Sequence, residues 1–233
     1  MTTKLTVANQ KGGAGKTSFA VMLCLALAEK GHKVLAVDCD PQGGMSNAIK
    51  IFNDGIIHDM LMGKEFWPIK STDENGIDID VIPSSYELDK LYVTVDHLAF
   101  KRTLKGIELD YDYIVFDTPP TMQGITRAAI HYSDRIFIPS EVSKNAIGPT
   151  LYTLQCLEEL DKKGEVIFID NFGKSTTRYK KELREEYLQK LNGQFAGTIR
   201  RTDTTKKIVA GDIALTPAKI EEYLQPLLDI VGV

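Results

Sequence analysis

Residues 10–17 read Gln10-Lys11-Gly12-Gly13-Ala14-Gly15-Lys16-Thr17, between a short apolar run, Leu5-Thr6-Val7-Ala8, and a helical segment rich in alanine and leucine. Strand, glycine loop and helix in that order make a cradle for phosphate, and no other stretch constrains the fold so tightly. The glycines let backbone N–H groups close around phosphate oxygens. The helix that follows points its positive end at the same place. Gly12, Gly13, Ala14, Gly15 and Ser18 would surround the phosphates, Lys16 would reach the terminal ones, and the Thr17 hydroxyl would hold a magnesium ion.

Strand-like runs alternate with helical runs along the rest of the chain. Strand candidates are Leu5–Asn9, Lys33–Asp38, Ile77–Ile82, Tyr113–Asp117, Arg135–Pro139, Glu165–Asp170 and a short piece near Ala196–Ile199. Helix candidates are Lys16–Lys30, Ser46–Lys50, Ile56–Met62, Tyr86–Val93, His97–Lys105, Ile125–His131, Ile147–Leu160, Arg178–Leu191, Thr204–Ala210 and Pro217–Ile230. Val34-Leu35-Ala36-Val37, Ile114-Val115-Phe116 and Val166-Ile167-Phe168-Ile169 are apolar on both faces, as central strands of a covered parallel sheet must be. The expected fold is α/β: a doubly wound, mostly parallel sheet with helices on both faces and its ligand at the carboxyl ends of the strands. A chain of 233 residues suits one such domain, residues 1–233. The polar stretch Lys70–Gly76 reads as a surface loop or a mobile excursion, and Phe66 and Trp67-Pro68 as packing a loop onto the body.

Two further strand ends carry aspartate. Asp38 and Asp40 flank Cys39 in Asp38-Cys39-Asp40-Pro41-Gln42-Gly43-Gly44. One can orient magnesium through a water and the other can position an attacking water, although a capping or turn aspartate fits the same pattern. Asp117 ends the run Asp112-Tyr113-Ile114-Val115-Phe116-Asp117-Thr118-Pro119-Pro120, which places it near the magnesium.

The usual phosphate loop has a glycine where this chain has Gln10, and gains a second lysine, Lys11, ahead of the glycines. This Lys-Gly-Gly-x-Gly-Lys-Thr form is the deviant Walker A motif, and with it the chain resembles the ParA/MinD family of P-loop ATPases. The segment Val37–Gly43 resembles the family's second motif, with Gly44-Met45-Ser46 departing from its usual Gly-Asn continuation. Asp117-Thr118-Pro119-Pro120 resembles its Walker B and second switch region. The resemblance implies a magnesium-dependent ATPase with Lys11, Lys16 and Asp40 catalytic, Lys11 crossing to a partner subunit's ATP. It implies Asp38 and Asp117 near magnesium through water, and Asn171 bonding adenine with the segment Ile199–Arg201 packed on the ring. Asn171 equally suits a turn. By resemblance the protein is a DNA partition ATPase of the short class without an N-terminal helix-turn-helix module. It would form an ATP-dependent homodimer, bind duplex DNA without sequence preference, and answer to a ParB-like partner bound at a centromere.

Residues 174–219 carry eleven Lys/Arg and five Asp/Glu, on a chain whose formal net charge is −4. Arg178, Lys181, Arg200, Arg201, Lys206 and Lys207 are the DNA candidates. The alternative is a set of solvated helix faces, because Glu182, Glu185 and Glu186 interleave as i,i+4 partners. Cys24, Cys39 and Cys156 form no metal or disulfide spacing, and Cys39 reads as a small buried filler. The apolar run Phe19–Ala28 is too short to span a bilayer, and no signal peptide opens the chain. A cytoplasmic, nucleoid-associated protein with no membrane partner is expected. A MinD-like relative would need a basic amphipathic tail, whereas Ile220–Ile230 carries acids and Pro226. A cluster-carrying ATPase would need cysteines placed differently. A biosynthetic synthetase on the same fold is a third alternative.

Overall fold

The computed structural model describes residues 1–51, 56–73, 76–91, 95–170 and 177–233. Among them eight strands form one sheet: β1 (Thr3–Val7), β2 (Val34–Asp38), β3 (Ile69–Thr72), β4 (Asp78–Ile82), β5 (Tyr113–Asp117), β6 (Arg135–Ser140), β7 (Gly164–Asp170) and β8 (Phe195–Arg200). Their order is β3-β4-β2-β5-β1-β6-β7-β8. All neighbours run parallel except the β3–β4 pair. The helices are α1 (Lys16–Glu29), α2 (Gly44–Ala48), α3 (Ile56–Leu61), α4 (Leu88–Leu91), α5 (Ala99–Leu104), α6 (Ile125–Tyr132), α7 (Lys144–Glu158), α8 (Arg178–Lys190), α9 (Asp203–Val209), α10 (Pro217–Lys219) and α11 (Gln225–Val231).

Side-chain alternation along the strands divides the core into two layers. Leu5, Val7, Val34, Ala36, Val115, Phe137 and Ile167 face α1, α9 and α11. Leu35, Val37, Ile114 and Phe116 face α3, α5 and α6, and Ile138, Val166 and Phe168 face α7 and α8. Phe19 to Leu27 are buried without interruption in α1. A helix apolar on all sides must be enclosed, and α1 is: strands lie on one side, with α2, α9 and α11 around the rest. This fixes the amino end of α1, and with it the glycine loop, against the sheet.

Three expectations need correction. Ile69–Thr72 is an antiparallel edge strand, where the sequence suggested a loop from Lys70. Its exposure alternates residue by residue, and Lys70 and Thr72 both bind Asp78 across the pair, at 2.6 Å each. An edge strand this short and polar carries no apolar pattern to read. The segment 217–230 is not one uniform helix, because Ile220–Leu224 forms a π-helical turn between α10 and α11. Pro226 lacks the N–H that an α-helix needs there, and the widened turn absorbs the missing bond. Finally, Phe66 packs against the core, but Trp67 is 69% exposed.

Gly164 opens β7 where β6 and α7 converge. An added methyl would stand 2.4 Å from Ile138 Cδ1, 2.8 Å from Leu157 Cδ1 and 2.9 Å from Leu154 Cδ2. Three buried side chains cannot all yield together. Gly164→Ala is therefore expected to lower stability by roughly 1–3 kcal/mol, read as a lower urea midpoint with an unchanged denaturant slope.

Candidate nucleotide site

The parallel register sets three strand ends level. Val7 of β1 and Asp38 of β2 both stand opposite Asp117 of β5. The glycine loop after β1 therefore faces the two aspartate-bearing ends, although β1 and β2 are far apart in sequence from β5. Within the loop Gly13 and Gly15 have φ of 71° and 91°, values that a side chain would strain. Gly44 approaches Thr17 so closely that a methyl on it would lie 3.3 Å from the Thr17 hydroxyl.

A buried polar network sets the start of the loop. Asn9 Nδ2 donates to the Pro139 carbonyl at 2.8 Å, and its Oδ1 accepts from the Lys11 N–H at 2.9 Å. The Gln10 N–H donates to Thr153 Oγ1 on α7 at 3.2 Å. Thr150 and Ser140 join this network, and Ser140 reaches the Tyr187 hydroxyl of α8 at 2.7 Å. These satisfied hydrogen bonds hold the backbone of Gln10 and Lys11 without any help from a ligand.

Asp38 is fully buried. Its Oδ2 accepts from the Ser46 N–H and hydroxyl, both at 2.7 Å, and its Oδ1 accepts from the Asp40 N–H at 3.1 Å. Burial pushes its carboxyl up to about 6, against the pull of those donors. Asp117 is equally buried, yet among the described residues neither of its oxygens has a hydrogen-bond donor. Burial, then the negative charge of Asp38, hold it well above the usual carboxylate range; Thr17 and Lys16 oppose this without completing a bond to it. Lys16 is 6% exposed. Burial lowers its pKa, and Asp117 and Asp40 work against that. Its ammonium donates to the Lys11 carbonyl at 3.5 Å, a long bond that leaves it available.

Two adjacent buried carboxylates, one of them orphaned, beside a threonine hydroxyl fit a hard divalent cation. Thr17 and Asp117 would hold it, with Asp38 one step further out because its oxygens already have protein donors. Magnesium there would supply positive charge that favours the ionised form of both carboxylates and offsets phosphate charge.

The glycine loop lines a cavity of about 360 Å³, bordered by Gly12 to Phe19 and by Asp40. Ile169, Ile199, Arg200, Arg201, Thr205 and Lys206 also line it. Asp40 is oriented from both sides: its Oδ1 accepts from the Gln42 N–H at 3.0 Å, and Ser84 donates to its carbonyl. Lys11 is not among the residues that line this cavity. Its ammonium lies 3.3 Å from Glu141. Asn171 falls outside the described residues.

The six DNA candidates separate into two groups. Arg200, Arg201 and Lys206 line the cavity and are ion-paired, to Glu222, Glu141 and Asp203 respectively. Arg178 and Lys181 lie exposed on α8, Arg178 paired to Glu182 at 2.8 Å, and Lys207 is exposed on α9. Sequence reasoning missed Asn9, Ser46, Ser84 and Glu141. Ser46 lies in the Gly44-Met45-Ser46 departure from the usual motif. Its hydroxyl binds Asp38 and also accepts from the Ser84 N–H at 3.0 Å, while Met45 fills the core. Cys39 is fully buried and its thiol is pushed up by burial, as a filler rather than a nucleophile would be.

Residues 2–166 match the AAA_31 family, described as an AAA domain. The chain belongs to that family and is a ParA/MinD-type P-loop ATPase. An uncharacterized protein of Methanocaldococcus jannaschii is 32% identical over 87% of this chain and 86% of its own length. The chromosome partitioning protein ParA of Caulobacter vibrioides is 30% identical over 67% of this chain, and the match spans 62% of that relative's length. Among solved structures, a Borrelia burgdorferi plasmid partition protein superposes with a TM-score of 0.75 at 26% identity, covering 99% of this chain and 98% of its own. The Cyanothece McdA(D38A)–ATP complex has a TM-score of 0.85 at 20% identity, covering 100% of this chain and 97% of its own, a likeness of fold. The cofactors of the class are ATP and Mg2+.

Proposed function

We propose that this chain is a DNA partition ATPase that dimerises on ATP, binds duplex DNA without sequence preference, and is released when a ParB-like partner stimulates hydrolysis. The carrying observation is that Arg200, Arg201 and Lys206 line the same cavity as the glycine loop. A nucleotide seated on Gly12–Ser18 would touch the same segment that bears part of the basic surface. Lys16 then meets the terminal phosphates, Asp40 positions the attacking water, and Lys11 reaches the nucleotide of the partner subunit. Residues 1–233 act as one ATPase unit, in the cytoplasm and on the nucleoid.

The tail supports DNA over lipid as the surface this protein rides on. Tyr223, Leu224, Leu227 and Leu228 are buried against α1, so their apolar side chains are already engaged. Arg135 holds the end of α11 by donating to the Ile230 and Val231 carbonyls at 2.8 and 2.7 Å.

Gel-shift titrations at several salt concentrations, with ATP, ADP and no nucleotide, test the reading. Binding is expected with ATP and weak otherwise, and it should fall steeply with salt as neutralised phosphates release counterions. Because Arg200, Arg201 and Lys206 line the cavity, the cleaner variant is Arg178→Ala with Lys181→Ala on α8. It should weaken binding to all sequences alike and flatten the salt slope by roughly one for each phosphate no longer neutralised, with ATP affinity unchanged. Equal binding in all three nucleotide states would break the switch. No binding in any state would favour a synthetase on the same fold.

A further inference from the structure

Glu141 follows β6 and stands between the glycine loop and the turn joining β8 to α9. Its Oε2 lies 3.3 Å from Lys11 Nζ, and its Oε1 accepts from Arg201 Nη1 at 2.5 Å. One carboxylate thus bridges two cations, one from the glycine loop and one from the segment after β8. Lys11 is held at both ends: its backbone N–H by Asn9, its ammonium by Glu141. Arg201 belongs to the cavity wall, whereas Lys11 does not.

We propose that Glu141 is a positioning residue for Lys11, a carboxylate that competes with phosphate for its ammonium and so sets how much ATP is needed for the dimer to form. This rests on the dimer reading above. An ammonium kept on its own chain's carboxylate is not free to extend to another subunit's nucleotide, so one partner must be exchanged for the other. The side chains of Lys11 and Glu141 are 22% and 33% exposed. Ion pairs at that level of exposure are weak, and a polyphosphate carries more charge than a carboxylate, so the exchange runs forward. Arg201 shares the same carboxylate, and once Lys11 departs Glu141 keeps Arg201 alone. The bridge thereby links the position of Lys11 to the wall of its own cavity.

The test uses the full chain with Glu141→Gln and two readouts. The first is acylation of Lys11 by an amine-reactive acetyl ester without nucleotide, followed by mass spectrometry, with exposed Lys207 as the internal reference. The second is the concentration of a non-hydrolysable ATP analogue that gives half-maximal dimer in sedimentation. Lys11 should react roughly twofold to fivefold faster in the variant, and the dimer should form at roughly twofold to fivefold less analogue, the range expected for removing one exposed ion pair. Glu141→Asp, which keeps the charge, should return both values toward wild type, as a merely structural defect would not. Unchanged Lys11 labelling, or a dimer that needs the same or more analogue in the glutamine variant, would overturn the proposal. If the wild type binds the analogue but stays monomeric, the partition reading fails on its own account, and the labelling alone decides whether Glu141 holds Lys11.

Discussion

Lys16→Ala is expected to weaken ATP binding by about two to three orders of magnitude, the effect of deleting two or so charge-assisted hydrogen bonds to phosphate. The ammonium sits at the amino end of α1, 6% exposed, where little water can take its place. Among the described residues its hydrogen bond, to the Lys11 carbonyl, is 3.5 Å long, so a phosphate would meet little competition. The fold should survive, because burial already holds the Asp117 carboxyl well above the usual carboxylate range, and removing the Lys16 charge moves it further that way. Equilibrium titration with a fluorescent ATP analogue measures the effect, with a thermal melt as the control for folding. Wild-type affinity in a folded variant would sink the assignment of the glycine loop.

The central part of this architecture was legible because it is over-determined. The strands β1, β2, β5, β6 and β7 are apolar runs ended by functional or turn residues, and the sheet must bury them on both faces. The glycine loop forces a strand before it and a helix after it. The edges were less legible, because an edge strand such as β3 owes its pairing to β4 and not to any pattern of its own. The π turn before Pro226 was readable in principle from the proline, but its form depends on α11 being pinned against α1 and Arg135.

The site divides in the same way. Lys16, Thr17, Asp38, Asp40 and Asp117 lie in motifs whose spacing is local to one strand end. Bringing them together needs only the parallel register that sets Asp38 opposite Asp117. Glu141 and Ser84 act from other strand ends, and nothing local marks them; only the order of strands in the sheet carries them to the loop. The basic segment shows the limit of charge counting. The count found an excess of cations from 174 to 219, but not that Arg200, Arg201 and Lys206 turn toward the cavity with acidic partners while Arg178 and Lys181 face outward.

Lys11→Ala should cut ATP hydrolysis by about a thousandfold or more, as removal of an arginine finger does, while ATP binding to the single chain stays within a few-fold of wild type. The structure separates the two effects. The cavity is lined from Gly12 onward and not by Lys11, so the phosphate cradle of its own subunit is expected to persist without that side chain. The Lys11 N–H bond to Asn9 is made by the backbone and survives the substitution, so the loop keeps its shape. What disappears is one cation that, in the proposed dimer, neutralises charge on the other subunit's phosphates as it builds toward the transition state. Sedimentation with a non-hydrolysable analogue should show the variant monomeric, and phosphate release should fall even at saturating ATP. The contrast with the Glu141→Gln variant is the sharper check, since freeing Lys11 and deleting it must move the dimer in opposite directions. A Lys11→Ala protein that dimerises and hydrolyses normally would remove the second subunit from the chemistry and leave Lys11 as a surface cation paired to Glu141.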